Sequence, residues 1–274
     1  MKTLRGKVVA ITGAGSGIGR ALARALSREG AIVALADRSE AGMAETARLV
    51  ESAGGAATCF AVDVAEEAAV HAFRDAVLGD HGHVDALVNN AGVALYGSVL
   101  ELTTAEMTWL MNVNFWGVVY GTKAFLPELL RRPEAAIVNL SSVFGLWGPP
   151  GQSAYAASKF AVRGFSESLR GELSGTRVHV VTVHPGGIDT AIARSGRVAA
   201  AADPARAEAA TREFERRFLT IPPETAAAAI VAAIKRRRDR VLIGADAVRV
   251  DALTRALGPR GTRIINRRAL RGRP

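Results

Sequence analysis

The sequence has a single cysteine, Cys59, among its 274 residues, so the chain cannot close an internal disulfide. Scarce cysteine fits a reducing compartment, and because Cys59 falls in a predicted strand, we expect it to fill the core rather than act as a nucleophile. The sequence also lacks an apolar run of about 18 residues, the length of a membrane span, and it lacks the apolar segment of a signal peptide. We therefore expect a soluble, cytoplasmic protein.

Clustered metal ligands are scarce as well. His81 and His83 fall in a polar loop before a predicted strand, a setting more typical of solvated side chains than of ligands. We therefore predict no metal site.

Acidic residues are scarce at the C-terminal end. Residues 235–274 hold 13 Lys and Arg against 3 Asp and Glu, whereas the rest of the chain is almost neutral, with 22 against 23. The same segment has no aromatic residue that could stack on a base, so we predict no specific nucleic-acid binding. A solvated basic end, or weak contact with an anionic membrane surface, fits the charge better.

Strand-like and helical segments alternate along the chain, which predicts βαβ units and a parallel sheet. The predicted strands cover residues 7–11, 32–36, 56–62, 86–88, 135–140, 177–183 and 240–243. We assign residues 1–259 to one catalytic domain, with an insert at 188–221, and residues 260–274 to a basic tail that is either disordered or docked. We expect the tail to be dispensable for chemistry.

A glycine-rich loop follows the first strand. Gly13, Gly17 and Gly19 lie between that strand and a helical pattern, in the spacing G-x-x-x-G-x-G. Such a loop lets the backbone approach a phosphate, and the helix N-terminus adds free N–H groups and positive dipole. The alternative is an ordinary tight turn between strand and helix.

The second strand ends at Asp37, placed to accept hydrogen bonds from the ribose hydroxyls of an adenosine and to repel a 2′-phosphate. Arg38 could instead accommodate that phosphate. Because the glycine loop itself has no Lys or Arg, NAD is favoured over NADP.

A third feature is the pairing of Tyr155 with Lys159 on one face of a predicted helix, four residues apart. A cation beside a phenol favours its charged form and makes it a usable acid or base. Ser142, at the end of the preceding strand, adds a hydroxyl that can hold a substrate oxygen. The alternative is an ordinary helix pair.

In the long helical pattern 104–130, Asn114 lies among apolar residues, where it either satisfies backbone groups or holds water beside Lys159.

Taken together, these motifs, with Asn89-Asn90-Ala91-Gly92 and Pro185-Gly186, resemble the single-domain short-chain dehydrogenase/reductase family over about residues 5–245. The resemblance implies a Rossmann-type, doubly wound, mostly parallel sheet of about seven strands with helices on both faces, in a homodimer or homotetramer. It also implies a nicotinamide cofactor, contacted by Thr12, Gly13, Ser16, Gly17, Ile18, Gly19, Asp37, Arg38, Asp63, Val64, Asn90, Ala91, Gly92, Tyr155, Lys159, Pro185, Gly186, Ile188 and Thr190.

The resemblance further implies the catalytic roles. Tyr155 is the acid/base, and Lys159 lowers its pKa together with the positive nicotinamide ring and holds the ribose. Ser142 positions the substrate oxygen, and Asn114 holds a proton-relay water. We therefore predict an oxidoreductase that transfers a hydride between a nicotinamide cofactor and a secondary alcohol or ketone. The alternative is a catalytically silent cofactor-binding scaffold or sensor of the same fold.

The substrate is predicted from apolar residues around this site. The flanking set, which could equally be core or subunit interface, is Val93, Leu95, Tyr96, Phe144, Leu146 and Trp147. It suggests a sterol, a fatty-chain alcohol or an aromatic alcohol. In the 188–221 insert, Ala210, Phe214 and Phe218 form an apolar stripe at helical spacing, which predicts either a lid over the substrate or packing against protein.

Overall fold

A computed structural model describes residues 1–203, 208–209, 212–213, 216 and 218–270. The strands are β1 Val8–Thr12, β2 Ile32–Asp37, β3 Ala56–Ala61, β4 Ala86–Asn89, β5 Leu95–Tyr96, β6 Ala135–Leu140, β7 Val178–Pro185, β8 Arg197–Val198 and β9 Arg240–Ile243. The helices are α1 Gly17–Arg28, α2 Glu40–Glu51, α3 Glu67–His81, α4 Thr104–Met111, α5 Gly117–Leu130, α6 Ser153–Glu172, α7 Ala191–Arg194, α8 Pro223–Arg236, α9 Ala245–Leu257 and α10 Pro259–Leu270.

Seven of these strands form one parallel sheet in the order β3-β2-β1-β4-β6-β7-β9. The predicted doubly wound architecture is therefore confirmed. The order reverses between β1 and β4, and in such sheets ligands bind beyond the carboxyl ends of the strands at this reversal. β5 and β8 form a separate two-stranded parallel pair.

The central strands are buried on both faces, as their continuous apolar sequences predict. Every residue of β1, β4 and β6 is buried. On one side, α1 and α8 contribute side chains such as Leu22 and Ile230 to the core, and on the other, α3 and α5 contribute Phe73 and Phe125. The two helical layers hold the sheet in place, so that the candidate polar residues lie together at the carboxyl ends of its strands.

The predicted helix 104–130 is not continuous. α4 begins with a capping box between Thr103 and Glu106 and ends at Met111, and a π-helical turn, Asn112–Trp116, separates it from α5. A π turn inserts one residue into the helical ladder and is frequent at functional sites. Apolar periodicity does not reveal this insertion, because the faces before and after it both remain apolar.

Cys59 is exposed, so the prediction that it fills the core is wrong. It lies on β3, which pairs only with β2 and forms one edge of the sheet. A strand at an edge buries less of its surface than a central strand, so strand placement alone did not predict burial.

A buried ion cluster that sequence reasoning missed lies at the amino-terminal ends of the central strands. The Asp85 carboxylate is fully buried and accepts a hydrogen bond from the Val8 N–H at 3.1 Å. Lys7, Arg132 and His83 place nitrogens 2.9–3.2 Å from its oxygens. His83, predicted to be solvated, thus contacts a carboxylate, and the cluster lies away from the strand ends that carry the candidate site.

The described part of the 188–221 insert is fastened at both ends. The Asp189 N–H donates to the Ile221 carbonyl at 2.8 Å, which brings the start and the end of the insert together. Within it, β8 pairs with β5, and Arg197 stacks 3.8 Å over the Trp109 ring. Phe218 is 38% exposed, whereas Ala210 and Phe214 lie outside the described residues.

Much of the basic C-terminal segment forms a docked helix. α10 packs on α9 so closely that a Cβ at Gly261 would collide with the Leu253 carbonyl oxygen. Ile265 is buried, and the Trp147 indole N–H donates to the Asn266 side-chain oxygen at 2.8 Å. Along the described residues, no helix is both long and apolar enough to cross a membrane.

Candidate active site

The loop between β1 and α1 requires glycine at its three predicted positions. Gly13 and Gly17 have φ angles of 66° and 50°, a region that L side chains rarely adopt. A Cβ at Gly13 would lie 2.7 Å from the Ala91 Cα, and a Cβ at Gly19 would collide with the Gly13 carbonyl. The glycines therefore let the loop, the end of β4 and the start of α1 approach one another.

Hydrogen bonds of Thr12 and Asn90 stabilise this loop. The Thr12 hydroxyl oxygen accepts the backbone N–H groups of Asn90 and Ala91, each at 3.1 Å. The Asn90 side-chain amide donates to the carbonyls of Thr12 and Gly13, each at 2.9 Å. Sequence reasoning placed both residues against a cofactor, and the structure shows them holding the loop that would carry it.

A second brace, from Arg20, was not predicted. Its guanidinium donates to the Thr46 hydroxyl at 3.0 Å and to the carbonyls of Gly15 and Gly42. The Thr46 hydroxyl in turn donates to the Ala14 carbonyl at 2.9 Å. α2 is thus tied to the glycine loop, a contact that sequence spacing gave no means of finding.

Asp37 lies at the end of β2, beside the glycine loop. One carboxylate oxygen accepts the Gly15 N–H at 2.8 Å, and the other accepts the Ser39 N–H at 2.9 Å.

The Arg38 side chain is 62% exposed and lies 3.4 Å from the Asp63 carboxylate. Asp63 also accepts the Ala65 N–H at 3.0 Å, and Val64 next to it is buried against Gly117. An exposed pair such as Arg38–Asp63 is weak, about 0–1 kcal/mol, so it fixes Arg38 only loosely.

Ser142, Tyr155 and Lys159 meet at the end of β6. Ser142 precedes a short 3₁₀ turn and accepts the Phe144 N–H at 3.1 Å, and its hydroxyl also hydrogen bonds with Tyr155. The Lys159 ammonium, 3% exposed, donates to the Leu140 carbonyl at 3.0 Å and lies 5.6 Å from the Tyr155 ring centre. The structure therefore brings the three predicted catalytic residues together.

His184 supports Ser142 from β7 and was not predicted to do so. This ring is fully buried, and its Nδ1 lies 3.1 Å from the Ser142 carbonyl oxygen. Burial lowers the pKa of His184 to about 4, so the ring is neutral near pH 7.

Burial opposes the charged forms of both Tyr155 and Lys159. Although part of the tyrosine side chain stays exposed, burial raises the pKa of Tyr155 to about 12, against a smaller lowering by the Ser142 hydrogen bond. Burial lowers the pKa of Lys159 to about 8. The lowering of the Tyr155 pKa that we expected from Lys159 is thus not a property of the chain by itself, because burial raises this pKa.

Asn114 lies in the π-helical turn and is fully buried. Its side-chain oxygen accepts the Val93 N–H at 2.8 Å, and its amide donates to the Val93 carbonyl at 3.0 Å and to the Ser158 hydroxyl at 3.2 Å. A Cβ at Gly92 would stand 3.2 Å from the Asn114 oxygen and 3.5 Å from the Lys159 ammonium. Both hypotheses for Asn114 therefore remain open. Its side chain satisfies backbone groups, and Gly92 leaves space between Asn114 and Lys159, where a water would lie in the second hypothesis.

The segment after β7 returns to the glycine loop. Pro185 pairs with Ile243, Ile188 is buried in the α1 side of the core, and Thr190 lies 3.1 Å from where a Cβ of Gly17 would be. Gly186 has no room for a side chain, because the Asp246 carboxylate lies there, and Asp246 accepts the Gly187 N–H at 2.8 Å. Asp246 is a further supporting residue that sequence reasoning missed.

The local geometry fits a dinucleotide. Ser16 occupies the N-cap position of α1 without a side-chain cap, so the first N–H groups of that helix and its dipole face the loop. Ile18 packs against the core at this turn, and Thr190 borders Gly17 there.

A parallel sheet with a glycine loop at the reversal of strand order is a dinucleotide-binding fold of the Rossmann type. Known proteins agree with this class. The short chain dehydrogenase family matches residues 7–200. A Mycobacterium tuberculosis protein named as an oxidoreductase, SadH, is 46% identical over 267 residues, covering 97% of this chain and 96% of that protein.

Two solved structures are similar over most of the chain. A short chain dehydrogenase/reductase from Burkholderia phymatum, in complex with NAD, is 35% identical with a TM-score of 0.87, covering 93% of this chain and 95% of that one. A short chain dehydrogenase from Mycobacterium paratuberculosis, bound to NAD, is 27% identical with a TM-score of 0.77, covering 89% and 98%. The chain therefore belongs to the short-chain dehydrogenase/reductase family and is an oxidoreductase.

The buried Lys159 generates a prediction about stability and pH. Its folded pKa of about 8 lies below the ordinary value of 10.5, so the unfolded chain binds more protons between these values and stability rises with pH in that window. The shift corresponds to about 3 kcal/mol, a cost fully present below pH 8. We expect Lys159→Met to be more stable than wild type at pH 7 and to lose most of that advantage by pH 10, in urea unfolding at each pH.

The matched control is Lys123→Met, which removes an exposed ammonium from α5. Its stability difference from wild type should not change over the same pH range. A constant difference for Lys159→Met as well would contradict the burial argument.

Proposed function

We propose that the protein transfers a hydride between a nicotinamide cofactor, NAD in preference to NADP, and a secondary alcohol or ketone. One observation carries the proposal: Ser142, Tyr155 and Lys159 meet at the carboxyl end of β6, two strands from the glycine loop in the same sheet. A bound nicotinamide supplies the redox partner for the substrate carbon. The chain's own residues manage the substrate oxygen and its proton.

Tyr155 exchanges that proton. In reduction the phenol donates it to the carbonyl oxygen as the alcohol forms, and in oxidation the phenolate takes it from the hydroxyl. The Ser142 oxygen accepts the Phe144 N–H, and its hydroxyl, which hydrogen bonds with Tyr155 in the chain by itself, turns its hydrogen to the substrate oxygen when substrate binds. With a pKa near 12, Tyr155 is almost entirely protonated at neutral pH and little phenolate is present, so oxidation depends on positive charge brought close to Tyr155.

We assign Lys159 and Asn114 to binding the cofactor ribose and a water beside the Tyr155 phenol. The ammonium is fixed by the Leu140 carbonyl, leaving two N–H groups for a cofactor ribose and for water. The Asn114 oxygen and the ammonium both border the gap kept open by Gly92, where a water can pass a proton toward Lys159. We assign Asn114 to that water, as well as to its contacts with the Val93 backbone.

The apolar surroundings of the site support an apolar substrate. Leu95 and Ala199 are buried in a small apolar cluster, and Val93 and Tyr155 pack against it. Phe144 contacts the Tyr155 ring edge to face, with centroids 6.1 Å apart. A sterol, fatty or aromatic alcohol suits these walls. Contact of Phe214 and Phe218 with such a substrate stays a prediction.

Self-association and location also stay proposals. Trp116 on the π turn and Phe160 on α6 are 43% and 41% exposed, and large exposed aromatic side chains on neighbouring elements favour a homodimer or homotetramer packed through them. A cytoplasmic location stays a prediction from the scarcity of cysteine.

Removal of the Tyr155 hydroxyl tests the acid/base assignment. Tyr155→Phe should lower kcat by at least 100-fold, because a positioned acid/base contributes about 10²–10⁴-fold, while NADH affinity stays within twofold. Turnover is followed by nicotinamide absorbance on a panel of apolar ketones and secondary alcohols, with each cofactor. Tyr120→Phe, on α5, is the control and should retain full activity. Retention of more than about a tenth of wild-type kcat by Tyr155→Phe would rule the assignment out.

The charge of Asp37 should set cofactor choice. Asp37→Asn keeps an acceptor for the Gly15 N–H but removes the charge that repels a 2′-phosphate, and Asp37→Ser removes both. We expect each variant to lower the ratio of kcat/KM with NAD to kcat/KM with NADP by at least tenfold, with Arg38 then free to meet the phosphate. Asp75→Asn, on α3, is the control. A wild-type preference for NADP in matched kinetics would overturn the proposal.

We also propose weak contact between α10 and an anionic membrane surface. Arg260, Arg263 and Arg267 are exposed and recur at helical spacing on one face of α10. Basic residues near anionic lipid contribute roughly 1 kcal/mol each, so replacing all three by Gln should weaken binding to phosphatidylserine vesicles roughly 100-fold. Replacing Arg236, Arg237 and Arg238 removes the same charge elsewhere and should have a smaller effect. Equal loss in both triple variants would show that only net charge matters.

A further inference from the structure

We propose that α10 forms part of the wall of the substrate site, and that Asn266 is a positioning residue that holds Trp147 in that wall. The proposal rests on the proposed function in one respect: the site that α10 supports is taken to be the dehydrogenase site. It departs from the sequence-based expectation that the C-terminal segment is dispensable for chemistry.

The anchor is a single hydrogen bond between distant parts of the chain. The Trp147 Nε1–H donates to the Asn266 Oδ1 at 2.8 Å, and Trp147 is 8% exposed. An indole N–H can only donate, and a buried donor without a partner is destabilising. Asn266 therefore decides whether the Trp147 ring can stay buried in this orientation.

Trp147 transmits its position to the catalytic tyrosine through one ring. Its centroid lies 5.6 Å from that of Phe144, with the planes at 77°, and the Phe144 centroid lies 6.1 Å from that of Tyr155, at 87°. Both are edge-to-face contacts, the geometry that aromatic pairs prefer. Asn266, Trp147, Phe144 and Tyr155 thus form a continuous series of contacts from α10 to the site.

The loop that carries these rings lies between β6 and α6 and packs on α6 at its start, where a Cβ at Gly145 would lie 2.8 Å from the Lys159 carbonyl oxygen. Between β6 and α6 the only regular element is the short turn Val143–Gly145, followed by Gly148-Pro149-Pro150-Gly151. At its far end, the Gly97 N–H donates to the Gly151 carbonyl at 3.2 Å. The Trp147–Asn266 bond is the corresponding attachment in the middle of the loop.

α10 is itself firmly placed, as a support must be. Gly261 allows it to touch the Leu253 carbonyl on α9, and Ile265 is buried beneath it. α9 is held in turn by Asp246, which accepts the Gly187 N–H, and by Asp251, which pairs with Arg240 on β9. The support therefore extends from the sheet through α9 and α10 to Trp147.

Kinetics of substitutions at Asn266 test the positioning role. Asn266→Leu keeps the side-chain size but removes the acceptor, and it should lower kcat/KM for a bulky apolar ketone at least tenfold, mostly through KM, while NADH affinity stays within twofold. Asn266→Asp keeps an acceptor and should restore most of the loss. Trp147→Phe removes the donor, so adding Asn266→Leu to it should cause little further change. Ile264→Ala, exposed on the same helix, is the control and should behave as wild type.

A second variant displaces α10 without touching the bond. Gly261→Ala forces the helix away from Leu253 and should reproduce the kinetic signature of Asn266→Leu. Wild-type kinetics in both Asn266→Leu and Gly261→Ala would overturn the proposal, and so would a loss that is equal for small and bulky ketones or that extends to NADH affinity.

Hydrogen exchange of the full chain separates this proposal from the proposed function. In Asn266→Leu, exchange should accelerate at least tenfold in peptides covering residues 143–151, with no change in peptides of β1 and α1. This readout decides the proposal even for a wild-type chain that turns over no ketone in the panel, a result that would count against the proposed function alone. Unchanged exchange at 143–151 would refute the link between α10 and the loop.

Discussion

The site depends on one unfavourable arrangement: a phenol and an ammonium buried side by side. Burial raises the pKa of Tyr155 to about 12 and lowers that of Lys159 to about 8, so the environment favours the neutral form of each. Under the proposed mechanism Tyr155 becomes an anion in oxidation, so its proton chemistry would depend on positive charge that binds beside it.

The surrounding fold holds Tyr155 and Lys159 in this arrangement and limits their contact with solvent. β6 supplies the Leu140 carbonyl to the ammonium, and His184 on β7 contacts the Ser142 carbonyl from beneath. The π turn aims Asn114 at the Val93 backbone, and Gly92 leaves space between that amide and the ammonium. In the sheet β6 lies next to β4, and β4 lies next to β1. The glycine loop that follows β1 is therefore two strands away from the end of β6, at the same carboxyl ends of the strands.

Most of the fold was predictable from the sequence, because each central strand is a continuous apolar run that ends in a polar or glycine-rich motif. The candidate catalytic residues were predictable for a similar reason, since their spacing along a helix or at strand ends is local. The supports were not: Asn266 and Trp147 are 119 residues apart, and Asp246 reaches Gly187 across 59. Nor does apolar periodicity show the extra residue of the π turn or the exposure of Cys59 at the sheet edge. Such contacts exist only once the chain has folded.

The ionisation of Tyr155 tests the account most directly. The chain has three tyrosines, so labelling their ζ carbons with ¹³C gives a spectrum in which Tyr155→Phe assigns the resonance of interest. Titrated without cofactor, the Tyr155 resonance should show a pKa near 12, and saturating oxidised NAD should lower that pKa by at least two units. A pKa already near 7 in the free chain, or one that NAD leaves unchanged, would contradict the claim that burial keeps the phenol neutral until the cofactor's charge is present.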